Sequence, residues 1–525
     1  MFAQVDAASS PPRLSFPRPY NAAVDLLDRH VAQGRAARIA VTDDRGSHTY
    51  GELLERAKRA GNALLALGVQ PEQRVLMVML DTVDFPAVFL GAMRAGLVPV
   101  PVNTLLQPKD YEHLLADSRA RAVVVSDAMV AKVQPALSKN PRVPVLVAPT
   151  VLGGDTAGLP TLDEALAKAT PDTGPFESCA DDVAFWLYSS GSTGSPKGAI
   201  HLHSHLMWTS ALYAQGVLGL REDDVVYSAA KLFFAYGLGN ALTFPFAAGA
   251  RAVLTAERTT PKVVARMMSE HQPTLFGGVP TLYAQLLAEA SFQVSPKLRV
   301  SISAGEALPR HVGEAWRQRF GTDILDGIGS TELLHIFLSN QPGDVKYGTS
   351  GRPVPGYDLE LRGDDGQSVG AGEEGALWVR GPSACAGYWN NREKTLATFH
   401  GPWARTGDRY LRDSDGYFTY CGRADDMLKV GGIWVSPFEV ESALSAHPSI
   451  LEAAVVGAPD ADQLIKPKAF VVLKPGFNWS DQLGVDLKAF VKDLIAPYKY
   501  PRWIEPVSEL PKTATGKIQR YKLRG

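Results

Sequence analysis

The sequence predicts an α/β fold: a large N-terminal part of two α/β subdomains plus a small β-barrel, followed by a small α+β C-terminal domain. Three observations predict it. Helical and strand patterns alternate through the first half and beyond, helices give way to short strands from roughly residue 345 to 422, and residues 425–525 carry a separate set of helices and strands. At 525 residues the chain is also several times the usual domain of about 150.

In order, GELLERAKRAGNALLALG has helical spacing, VLMVML is a buried-strand run, and RAVVVS is another after a second helix. The stretch 85–106 is apolar, but Arg94 and the prolines Pro86, Pro99 and Pro101 interrupt it, which predicts a buried helix and then a strand rather than a membrane span. Residues 149–182 are rich in Gly, Thr, Pro and Asp around the short helical piece LDEALAKA, and predict a connection between subdomains. Beyond it the strands VAFWLY, TLFGGV and RVSISA alternate with the helices PTLYAQLLAEA and PRHVGEAWRQRF. From 345 to 422 the helices vanish, and YDLELR, GALWVRG and GYFTYCGR sit between Gly- and Asp-rich turns, as in a small β-barrel. A helix from Pro437, the strands LEAAVVG and KAFVVLK, a helix around DLKAFVKDL and a basic terminus complete the chain. The predicted domains are 1–424 and 425–525.

Composition narrows the function. Lys plus Arg number 53 against 55 Asp plus Glu, so no field of one sign favours nucleic acid. Cys179, Cys385 and Cys421 are too few and scattered for a disulfide framework, and the N-terminal stretch lacks a signal-peptide pattern. The expectation is a cytoplasmic protein with no nucleic-acid or membrane partner, monomeric or homodimeric.

The most informative stretch is YSSGSTGSPKG at 188–198. Small residues expose backbone N–H groups, hydroxyls add donors, and Lys197 supplies compact positive charge, a combination suited to a polyphosphate. The spacing is not GxxxxGK[ST], which excludes the P-loop of motor ATPases and small GTPases. With AGEA at 304–307, DGIGSTE at 326–332, TGD at 406–408, GRADD at 422–426 and PKTATGK at 511–517, in that order, the chain resembles the acyl-adenylate-forming superfamily. Each block alone is an ordinary turn. Their order carries the resemblance.

The resemblance implies a carboxylic acid activated by ATP with Mg²⁺ and passed to coenzyme A. Ser189, Ser190, Gly191, Ser192, Thr193, Gly194 and Lys197 would hold the β- and γ-phosphates, Thr331 would touch the α-phosphate, and Glu332 with Thr193 would place Mg²⁺. Asp408 and Arg423 correspond to ribose ligands, and the backbone around Gly305, Glu306 and Asp326 to Ile328 to the adenine slot. Lys517 corresponds to the catalytic lysine bridging the substrate carboxylate and the α-phosphate, and a lysine acetyltransferase acting on it would remove its charge. Asp425 takes the hinge position of a mobile C-terminal domain, whose other face, with Lys429, Gly431, Gly432 and Trp434, would form the pantetheine tunnel.

The aromatic block KLFFAYG at 231–237 aligns with the family's acyl pocket, although an aromatic stripe on a core strand is its plain alternative. Gly329 stands where acetate-activating relatives carry tryptophan, so the pocket extends beyond two carbons. Ala235, Ala304, Gly327 and Gly329 leave a flat slot with Tyr236 and His335 as walls, suited to one aromatic ring. FFAYGLGN and SSGSTGSPKGAIHLH resemble the benzoate-CoA ligases, which makes benzoate the expected acid. A hydroxybenzoate or aminobenzoate, or transfer to a carrier protein instead of free CoA, is the alternative. No carrier-like segment follows Lys517, which favours the free thiol. A non-catalytic nucleotide-binding regulator would not be expected to keep Lys517, Thr331, Glu332 and Asp408 together. His201, His203 and His205 alternate at period two and on a strand would share a face, but no carboxylate or cysteine completes a metal set.

Overall fold

The structure is a computed structural model that describes the chain except residues 1, 7, 172–173, 190–195, 425, 431–432, 461–463, 497–498, 513–517 and 525, with backbone only at 429, 433 and 434. Strand runs that are apolar on both faces, such as Ala122–Ser126, require cover on both sides and form parallel sheets between helices. Arg74–Val78 lies between Val98–Pro101 and Ala122–Ser126, and Val145–Ala148 completes a parallel four-stranded sheet. The helix Tyr50–Ala66 begins at a capping box, Thr49 accepting from the amide of Glu52, and packs on Asp84–Arg94 through facing glycines. A Cβ on Gly61 would stand 2.5 Å from the Gly91 carbonyl oxygen, so the two helices touch at a distance only glycine permits.

A second, nine-stranded sheet among the described residues has a parallel centre. Val225–Ser228, Leu275–Gly278, Val300–Ser303 and Ile324–Gly329 lie side by side, and Ile336–Ser339 turns back antiparallel against Ile324–Gly329. That reversal brings the segment 330–335 to the carboxyl ends of the parallel strands, where open α/β sheets place ligands.

The predicted barrel is a half-barrel of five antiparallel strands, centred on Glu374–Arg380 and Trp403–Arg412. Helices do not vanish from 345–422 as expected. Arg392–Thr398 is a helix in which the Asn391 side chain accepts from the Lys394 amide, a capping signal hidden in a short polar stretch. At the C-terminal end a three-stranded sheet of Ile450–Pro459, Ile465–Leu473 and Trp503–Pro506 packs against Pro437–Ser445 and Asp481–Leu494 around Val440, Leu444, Val455, Val471 and Leu487. Among the described residues no helix is long and apolar enough to cross a membrane.

Candidate active site

The strands Val183–Ser189 and Lys197–Leu202 pair antiparallel with Ser189 opposite Lys197. They present the two ends of the glycine- and hydroxyl-rich loop, while Ser190, Gly191, Ser192, Thr193 and Gly194 lie outside the described residues. The Ser189 hydroxyl donates to Oε1 of Glu332 at 3.2 Å. Tyr388 donates to the same oxygen at 2.7 Å. Lys197 places its ammonium 4.8 Å from the centroid of the Tyr388 ring.

Thr331 and Glu332 lie in the turn between two strands, where the Ser330 hydroxyl accepts from the Leu333 amide at 3.2 Å and Leu334 has φ of +66°. His201 supports the turn from behind, its Nε2 2.8 Å from the Thr331 carbonyl. A carbonyl only accepts, so that nitrogen carries the proton, and Nδ1 faces Nδ1 of His205 at 3.2 Å. Burial lowers the His201 pKa to about 4, so the imidazole is neutral. The three histidines do not share a face: the strand stops at Leu202 and the chain turns into the helix His203–Thr209, which sends His203 to the Ala22 amide at 3.1 Å. A period-two pattern holds only while the strand lasts.

Gly305 follows Ala304 at the carboxyl end of Val300–Ser303 with φ of +95°, in the left-handed region that glycine occupies without strain. Glu306 accepts from the Thr281 hydroxyl at 3.4 Å and, across the chain, from the Ile518 amide at 3.3 Å. The Asp326 carboxyl is buried, which raises its pKa well above the carboxylate range, and its main-chain oxygen accepts from the Asn340 amide at 2.9 Å. Asp408 and Arg423 face each other across paired strands, Nη1 to Oδ1 at 3.1 Å. A Cβ on Gly407 would stand 2.8 Å from the Arg423 guanidinium, so glycine leaves that group its place.

The acyl block is no core strand: 235–238 is a short helix, Ala235–Leu238, following a buried turn. The Tyr236 hydroxyl lies 3.1 Å from the Gly278 carbonyl oxygen and 3.0 Å from that of Ile302. His335 packs against Phe244, Tyr213 and Tyr236 with ring centroids 4.4, 5.4 and 5.6 Å away. Its Nε2 lies 3.3 Å from the Tyr236 carbonyl, and burial lowers its pKa to about 3. Ala304 is buried beside these groups' strands. A Cβ on Gly329 would meet the His335 carbonyl at 2.4 Å, and one on Gly327 the Leu338 carbonyl at 2.8 Å. Both glycines therefore serve the close approach of the returning strand, a constraint beyond the open slot read from sequence.

Leu428–Val430 and Ile433–Val435 form a two-stranded antiparallel pair in which the backbones of Lys429 and Trp434 are partners. Gly431, Gly432, Asp425 and Lys517, with the side chains of Lys429 and Trp434, lie outside the described residues. Tyr388, His201 and Gly239 went unread in the sequence as parts of this site. A Cβ on Gly239 would stand 2.3 Å from the His335 ring. Only a small-residue run before GYW and one histidine in an otherwise apolar strand signalled the first two.

The chain matches the AMP-binding enzyme family over residues 27–389 and the AMP-binding enzyme C-terminal domain over 439–517. It is 57% identical over 523 residues to a benzoate-CoA ligase of Thauera aromatica, covering 99% of this chain and 98% of that protein. It is 52% identical to a 4-hydroxybenzoate-CoA/benzoate-CoA ligase of Rhodopseudomonas palustris, over 97% of this chain and 94% of the relative. A crystal structure of a benzoate CoA ligase from Burkholderia xenovorans LB400 superposes with a TM-score of 0.90 at 52% identity, covering 96% of this chain and all of that one, 100%. The family model spans most of the chain and a curated relative is 57% identical over nearly its whole length, so the chain belongs to the AMP-binding enzyme family.

Proposed function

We propose that the protein joins benzoate to coenzyme A in two ATP-driven steps. A benzoate oxygen attacks the α-phosphorus of ATP in line with departing pyrophosphate, giving benzoyl-AMP. The CoA sulfur then attacks the acyl carbonyl and AMP leaves. The observation that carries this reading is the turn 331–335, which has Glu332, tied to Ser189 and Tyr388, near its start and the neutral His335 among three aromatic rings at its end. Charge and an apolar ring are thus served a few residues apart.

In this reading 189–197 and Thr331 bind the phosphates, Asp408 and Arg423 the ribose, and the backbone at Gly305, Glu306 and 326–328 the adenine. Ala235, Tyr236, Ala304, Gly327, Gly329 and His335 shape the acyl slot. The donor set fits Mg²⁺: Glu332 offers a carboxylate, the hard oxygen ligand of an ion held chiefly by substrate phosphates. Glu332 and Thr193 would hold it, and the ion would offset triphosphate charge.

Lys517 bridges the acid and the α-phosphate. The Ile518 amide at Glu306 supports a tail that reaches the nucleotide side. Residues 425–525 form the mobile domain, hinged at Asp425, and Lys429, Gly431, Gly432 and Trp434 line the pantetheine tunnel in its second orientation. Mg²⁺ dependence, a cytoplasmic role in aromatic degradation and acetylation of Lys517 belong to the same reading.

A panel of carboxylates with ATP and Mg²⁺, followed by pyrophosphate release with and without CoA, tests it. Benzoate giving AMP and benzoyl-CoA on CoA addition is the expected result. Preference for aliphatic acids overturns the pocket reading, and turnover only with a carrier protein overturns the free-thiol reading.

A further inference from the structure

Glu332 and Lys197 meet at a single aromatic side chain. The Tyr388 hydroxyl donates to Glu332 Oε1 at 2.7 Å while Lys197 sits over its ring at 4.8 Å from the centroid. Glu332 and Lys197 form no ion pair with each other among the described residues, although their charges are opposite and both lie beside Tyr388. The backbone around the tyrosine is bound to both partners' elements. The Ala386 amide donates to Ile200 at 2.9 Å, the Ile200 amide to Gly387 at 3.0 Å, and the Trp389 amide to Gly198 at 2.8 Å, so this segment runs as an added strand along Lys197–Leu202. Upstream, the Cys385 amide donates to the Glu332 carbonyl at 2.7 Å and the Ser383 hydroxyl to the Leu333 carbonyl at 2.7 Å. Tyr388 is 6% exposed, and burial first, then the Glu332 charge, raises its pKa, which keeps the hydroxyl a donor.

We propose that Tyr388 is a positioning residue that holds the Lys197 ammonium on its ring and the Glu332 carboxylate on its hydroxyl, keeping the two charges from collapsing onto each other and separately available to the triphosphate. The inference rests on the adenylation reading above. A lysine and a carboxylate free to pair would neutralise one another before substrate arrived. The tyrosine offers the cation a negative ring face and the anion a positive proton.

The test is benzoate-dependent ATP–pyrophosphate exchange by the full chain carrying Tyr388→Phe, Tyr388→Leu, Glu332→Gln, Lys197→Met and their pairs. Tyr388→Phe keeps the ring and loses the hydroxyl. It is expected to slow exchange roughly tenfold to a hundredfold, the range for losing one hydrogen bond to a charged group, while thioester formation from supplied benzoyl-AMP and CoA is unchanged. In the Glu332→Gln background the same change adds less than threefold, because the tyrosine acts through that carboxylate. Tyr388→Leu also weakens ATP binding measured calorimetrically in EDTA, and this further loss disappears in Lys197→Met. Equal slowing of both half-reactions, or full multiplicativity with Glu332→Gln, overturns the inference by reducing Tyr388 to a packing residue. Wild-type protein active with benzoate and matched by Tyr388→Phe overturns this inference alone. Wild-type protein inactive with every acid overturns the function reading and this inference with it.

Discussion

The two ends of the turn 331–335 are held in opposite ways. At the Glu332 end, charged and polar groups are held apart by directional bonds: Glu332 by Ser189 and Tyr388, Thr331 by His201. At the His335 end almost nothing is directional. His335 is fixed by contact with three rings and one weak polar contact, and burial removes its charge. On the function proposed above, the first is the phosphate end, which must present charge to a triphosphate without letting it neutralise itself, and the second is the acyl end, which must exclude charge so that an uncharged ring is preferred. Hydrogen bonds are suited to the first task and close packing to the second.

The largest expected break comes from the tail. Lys517→Ala should lower benzoyl-AMP formation by about a thousandfold, the upper range for removing one preorganised electrostatic donor, while benzoyl-AMP supplied with CoA is still converted. Half-reaction assays check this, and equal loss in both sinks it. Next, Gly329→Trp strikes the seam between the two ends. Its Cβ would lie 2.4 Å from the His335 carbonyl, so the returning strand must move, and both ATP and benzoate binding should be lost together in calorimetry.

Gly239→Ala strikes the acyl end alone. The added methyl meets the His335 ring at 2.3 Å, and an overpacking cost of about 1–3 kcal/mol should raise the KM for benzoate about tenfold or more with that for ATP unchanged. A parallel rise in both values would show that the two ends are not separable.

The smallest effect is on stability against pH. His201 and His335 have folded pKa values lowered from 6.5 to about 4 and about 3, so below pH 6.5 the unfolded chain binds protons that the folded one refuses. Stability is full above pH 6.5 and falls as pH drops toward those values, by about 1.4 kcal/mol per pH unit for each group. His335→Phe removes one such group, and denaturant titrations from pH 4.5 to 7.5 should show a shallower slope. An unchanged slope would mean that His335 is charged in the folded protein.

Most elements were legible because their patterns are local. The helix Tyr50–Ala66, the strands Arg74–Val78 and Ala122–Ser126 and the helix Arg310–Phe320 all follow from apolar spacing over a few turns or residues. The helix Arg392–Thr398 was not legible, because none of its residues is buried and its cap lies in a stretch that also reads as a turn. The strand Trp503–Pro506 escaped for a related reason: it exists through its parallel pairing to Ile465–Leu473, and nothing within four residues announces a partner so far away in sequence. In the site, residue order marked Lys197, Glu332 and Asp408, which stand in blocks of small and polar residues. Tyr388 and His201 were hidden among aromatic and apolar neighbours, where packing is the ordinary reading.

The order of the glycine, hydroxyl and acidic blocks along the chain was enough to determine the family, because spacing and side-chain chemistry are properties of the chain itself. Which donor meets which acceptor was decided only by the tertiary structure. Tyr388 lies 56 residues from Glu332, and His201 lies 130 from Thr331. Contacts at such separations are set by how strands return and pack, and the same local pattern is compatible with many returns. The return of Ile336–Ser339 against Ile324–Gly329 selects one, and with it the partition of the turn into a bonded, charged end and a packed, neutral one.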